Sequence, residues 1–72
     1  MPTLRELREN AVLTQDELAE KVGVTPAAIS HWETGSKRPR AKNIRGLAAA
    51  LGVTPQDILA ALKETQDRRG NA

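Results

Sequence analysis

Residues 14–40 read TQDELAEKVGVTPAAISHWETGSKRPR, and the fold turns on how this stretch is parsed. Thr14 stands three residues before Glu17, a spacing in which each side chain satisfies a free backbone group of the other at a helix start. Leu18, Ala19 and Val22 then fall on one helical face, and Gly23 can take the left-handed conformation that closes a helix. Val24 tucks inward, Thr25 caps a second helix and Pro26 suits its first position. Ile29 and Trp32 point to the core, and Gly35 ends that helix at about residue 33. The spacing therefore predicts two short helices joined by a tight turn. A basic loop over 36–42 follows, because Pro39 disfavours helix at the residue before it.

The tetrapeptide Gly-Val-Thr-Pro occurs at 23–26 and again at 52–55, so one connector serves twice. Working outward, Thr3 and Glu6 repeat the capping pattern before a helix over 3–10, with Leu4 and Leu7 inward. A fourth helix over 42–51 is expected to bury Ile44, Leu47, Ala48 and Leu51, and a fifth over 55–65 to bury Ile58, Leu59 and Leu62. Residues 66–72 read as a flexible polar tail, leaving one domain over 1–65. Helical periods without strand alternation give an all-α, five-helix fold.

The 72 residues suffice for one domain. With no cysteine, neither a disulfide framework nor a thiolate metal site is expected, and a reducing compartment fits best. No apolar run is long enough to cross a bilayer, so a cytoplasmic protein with no membrane association is expected. Trp32 is the only aromatic residue and, by its spacing from Ile29 on the buried side of the helix, belongs to the core. His31, a lone histidine, makes no metal site, and no cofactor is implied. Asp16, Glu17 and Glu20 are explained by capping and helix-surface roles without a nucleophile beside them, so an enzyme is not expected.

Charge is uneven. Between Thr34 and Gln56 the bases Lys37, Arg38, Arg40, Lys42 and Arg45 meet no acid, while the whole chain carries only +2. Such a stretch is either ordinary solvated charge or one face for an anionic partner. Thr25 also breaks a rule: Thr3, Thr14 and Thr54 each precede an acid by three residues, whereas Thr25 precedes Ala28. A helix start without an acid leaves its positive pole for an outside anion. Ala28 equally reads as a good helix former packed on the preceding helix. Outward on the 26–33 helix stand Ala27, Ser30, His31 and Thr34, none of them an acid that phosphates would repel.

These residues resemble the helix-turn-helix of the phage repressor and Cro-like regulators, the XRE family. Ala19 is small where two helices cross, Gly23 sits in the turn, and Leu18, Val22, Val24, Ile29 and Trp32 are apolar between them. Trp32 to Gly35, the Arg38-Pro39 pair and the flanking helices extend the resemblance over about residues 4–62. It implies a lambda-repressor-like fold and a regulator of transcription that binds double-stranded DNA, a repressor, as a homodimer on an inverted repeat. By the resemblance Pro26, Ala27, Ser30 and His31 meet base edges. Gln15, Thr25, Lys37, Arg38, Arg40 and Lys42 meet phosphates, Gln15 also bracing the recognition helix. Arg8 and Glu33 form a structural ion pair between the first and third helices.

The departures matter as well. Relatives often carry long amides at the base-reading positions, where this chain has Pro26 and Ala27, so readout should rest on methyl contacts, His31 and DNA shape. Val12 stands where the family commonly has glycine, and a β-branched residue avoids positive φ. Dimerisation is expected through helices 4 and 5 or the tail. Two rival roles stay open: an antitoxin that covers a toxin and binds DNA for autoregulation, and a small controller protein that touches RNA polymerase.

Overall fold

A computed structural model describes residues 2–70 as five helices: α1 (Leu4–Asn10), α2 (Gln15–Val22), α3 (Pro26–Thr34), α4 (Ala41–Leu51) and α5 (Pro55–Gly70). No strand occurs among the described residues. Both expected capping boxes form, Thr3 with Glu6 and Thr14 with Glu17, and both Gly-Val-Thr-Pro connectors behave alike. Gly23 at φ 84° closes α2 and Gly52 at φ 69° closes α4, each with a threonine two residues on at the start of the next helix.

Leu4, Leu18, Ala19, Ile29, Trp32, Leu47, Ala48, Ile58 and Leu62 form one core cluster, to which every helix contributes. α2 packs on α3 and α4, while α5 lies against α4, α3 and α1. With such short elements, none longer than 16 residues, mutual burial rather than helix propensity holds the helices in place. No helix of the described residues is long and apolar enough to cross a membrane.

Three expectations are corrected. Leu59 is 46% exposed, because the buried stripe of α5 is Ile58, Ala61, Leu62 and Thr65, and Leu59 lies a further 100° round the helix. The expected tail from Gln66 is instead helical as far as Gly70, and Asn71 and Ala72 lie outside the described residues. A tertiary anchor accompanies its continuation: the buried Thr65 hydroxyl donates to the Ala61 carbonyl at 2.8 Å and accepts from the Leu4 amide of α1 at 3.3 Å. α4 begins at Ala41, one residue early, with Arg40 at its N-cap and no side-chain cap. Pro39, expected only to break a helix, is itself buried and anchors the loop.

Val12 adopts the positive φ that its branched side chain opposes, 57°, and is 87% exposed. The Leu13 amide reaches back to the Arg8 carbonyl at 3.2 Å, so this left-handed residue closes α1 as a glycine would.

Candidate nucleic-acid interface

Beneath the outer face of α3 lies a buried ion pair. Arg8 donates from Nε and Nη2 to the two carboxylate oxygens of Glu33, at 2.5 and 3.1 Å, and from Nη1 to the Leu13 carbonyl at 2.9 Å. The side chains are only 11% and 4% exposed. Glu33 also accepts from Gln15 Nε2 at 3.0 Å. The hydrogen bond to the Glu33 carboxylate, and then its charge, raise the Arg8 pKa further above its ordinary value. α1, the start of α2 and the end of α3 are thus fixed to one another through Glu33. Arg8 and Glu33 form an ion pair, and Gln15 reaches α3 through the same carboxylate. One N–H of the Gln15 amide remains for another acceptor.

This network borders an open cleft of about 660 Å³ lined by Arg5, Thr14, Gln15, Asp16, Ser30 and Thr34, together with the ion pair. Along its edge runs the outward face of α3. Pro26, Ala27, His31 and Thr34 are exposed and Ser30 is half-buried. Thr25 caps the helix, its hydroxyl accepting from the Ala28 amide at 3.2 Å, and the first turn holds no acid. Ala28 is half-buried against the core, so the packing reading of that residue also holds.

At the other end of α3, Gly35 at φ 80° turns the chain into the basic loop. A group of hydroxyls that the sequence reading passed over gathers here. His31 Nδ1 lies 3.0 Å from Ser36 Oγ, which lies 3.1 Å from Thr34 Oγ1. Thr34 and Ser36 hydroxyls both reach the His31 carbonyl, at 3.2 and 3.3 Å, and the Ser36 and Lys37 amides donate to the same oxygen at 3.1 and 3.4 Å. The His31 ring is therefore held by Nδ1 and leaves Nε2 free of that contact. A histidine five residues before a serine across a glycine turn is the only sequence signal for it.

Lys37, Arg38 and Arg40 in the loop, and Lys42 and Arg45 on α4, are all exposed. Among the described residues none of them pairs with a carboxylate: the ion pairs join Arg5 to Glu9, Arg8 to Glu33, and Arg68 to Glu6 and Glu64. Lys37 is tied to α3 through its amide, whereas Arg38, Arg40 and Lys42 are brought near only by the short loop.

Residues 4–58 match the sequence pattern of the family described as Helix-turn-helix. Individual relatives include the HTH-type transcriptional activator BcrR of Enterococcus faecalis, 34% identical over 70 residues, which are 90% of this chain and 34% of BcrR. Repressor protein C2 of Salmonella phage P22 is 34% identical over 56 residues, 78% of this chain and 26% of the repressor. The type II methyltransferase M.Sau96I of Staphylococcus aureus is 32% identical over 56 residues, 78% of this chain and 13% of the enzyme. The chain spans about a third or less of the length of each.

Proposed function

Because the chain belongs to the helix-turn-helix family, and resembles its phage repressor and Cro-like branch, we propose that it binds double-stranded DNA with α3 in the major groove and regulates transcription. The observation that carries this reading is the contrast around α3: a cap without an acid, an outward face of small neutral side chains, and five exposed bases beyond its end that pair with no carboxylate among the described residues. A carboxylate on that face would be repelled by the phosphates, so a face without one suits close approach to the groove.

Pro26, Ala27, Ser30 and His31 face the bases. Ala27 offers a methyl contact to thymine, and the His31 imidazole offers Nε2 to a purine or carbonyl acceptor. The second N–H of Gln15, the exposed start of α3 at Thr25, and the side chains of Lys37, Arg38, Arg40 and Lys42 hold phosphates. With no long amide or arginine on α3, direct readout is sparse and DNA shape carries a large share of the preference.

One such domain makes few contacts, so binding is as a homodimer on an inverted repeat, with the two α3 helices about 34 Å apart. The exposed Leu59 of α5 supports a two-fold axis at that helix. Repression follows from occupying a promoter, which needs no contact beyond DNA. The chain is a regulator rather than an enzyme in this reading, since its cleft is built around a structural ion pair.

The test is a selection of bound genomic fragments with purified protein at moderate salt, with the mass of the complex measured in parallel. Enrichment of an inverted repeat holding two chains supports the proposal. Absence of enrichment, with the protein instead co-purifying with the product of an adjacent gene, favours the antitoxin role.

A further inference from the structure

The carbonyls at the C-terminal end of a helix have no partners within it and must find them elsewhere. In α3 two are met from α5. Gln66 Nε2 donates to the Gly35 carbonyl at 2.6 Å and Arg69 Nη1 to the Thr34 carbonyl at 3.2 Å, across more than thirty residues of sequence. Both side chains also pack on the bare Cα of Gly35: a methyl group there would meet Arg69 Cδ and Gln66 Nε2 at 3.2 Å. A cation at this end also answers the negative pole of α3. Between the two residues, Arg68 Nη1 reaches Glu6 of α1 at 3.2 Å. The last turns of α5 therefore grip α1 on one side and the end of α3 on the other, at the point where the chain enters Ser36, Lys37 and Arg38.

We propose that Gln66 and Arg69 are positioning residues for DNA binding, which fix the Gly35 turn and so set how the basic loop meets the phosphate backbone. The inference rests on the DNA-binding reading above. Neither residue need touch DNA. Because the clasp lies at the end of α5, a force on that end of the helix reaches the DNA-facing loop through two hydrogen bonds, without passing through the core.

Gln66→Met tests it, since the variant keeps length and packing but loses the donor, and no charge changes. Affinity for a duplex chosen by selection with the wild-type chain is measured over a range of salt, well below the melting temperature. Amide exchange at Ser36 and Lys37 is followed in the free protein. The expected result is binding weaker by about fivefold, the equivalent of one hydrogen bond. The slope of log affinity against log salt should be shallower by about one phosphate contact, with faster exchange at both amides. Asp67→Glu, exposed, one residue on and unchanged in charge, should match wild type in all three.

Wild-type affinity and slope in Gln66→Met would overturn the inference. Weaker binding at an unchanged slope, or an equal loss in Asp67→Glu, would do so too, because it would mean general loosening of the helix end. If the wild-type chain selects no duplex, the DNA reading fails and this inference with it, whereas failure in the variant alone leaves that reading standing.

Discussion

Replacing Val12 by glycine should stabilise the protein. A side chain at φ 57° brings Cβ against the following carbonyl, at a cost of about 1–2 kcal/mol, and a β-branched residue belongs at the upper end. Glycine removes that strain but adds unfolded-state freedom worth about 0.5–1 kcal/mol. Little burial is lost, because Val12 is 87% exposed. The net gain is about 1–1.5 kcal/mol, which for a domain of this size raises the melting temperature by roughly 4–12 °C. Thermal unfolding followed by circular dichroism measures it. Val12→Ala is the control, since alanine keeps Cβ and should recover well under half of the gain. A glycine variant that melts at or below wild type, or an alanine variant that gains as much, would refute the strain argument.

Three further outcomes follow from the same geometry. Glu33→Ala should cost about 3–5 kcal/mol in urea unfolding, because it leaves Arg8 buried and unpaired, while Arg8→Met with Glu33→Leu should restore most of that loss; a loss under 1 kcal/mol in the single variant would contradict the burial. Glu6 and Glu17 are held below the usual 4.5 first by the backbone amides of Thr3 and Thr14 and then by their hydroxyls. As pH falls the unfolded chain takes up these protons first, so their contribution is full above 4.5 and drains away below it; Glu6→Gln with Glu17→Gln should flatten the acid limb of melting temperature against pH, and an unaltered limb would exclude the boxes as its source. Arg38→Ala should weaken binding alike on every duplex and reduce the salt slope by about one, and a loss confined to one sequence would make Arg38 a base reader instead.

The helices were legible because their ends are written locally. Thr3, Thr14 and Thr54 with their acids, and Gly23, Gly35 and Gly52, act on groups within four residues of themselves. Leu59 was misplaced because an aliphatic pair such as Ile58 and Leu59 fits two helical phases, and only packing against α1, α3 and α4 selects between them. The extension to Gly70 was hidden for a related reason: Thr65, Gln66 and Arg69 are polar residues whose partners, Leu4, Gly35 and Thr34, are remote in sequence. Val12 was correctly marked as opposed to a left-handed turn, yet the chain takes that turn, because the Leu13 amide and carbonyl then both engage Arg8. At the site, the register after Thr25 was enough to place Pro26, Ala27, Ser30 and His31 on α3, and the family resemblance to pair Arg8 with Glu33. The hydroxyl group around Ser36 and the clasp from α5 carry no periodic signal.

Whether α3 reads DNA is tested most directly by changing one of its exposed side chains and asking which bases change. Sequences enriched by wild-type protein and by Ala27→Gln, selected from the same random duplex pool, should differ at one base pair in each half-site, with adenine favoured where the new amide can reach its N6 and N7. Identical enriched sequences, or changes scattered without a fixed position, would contradict the placement of α3 in the groove.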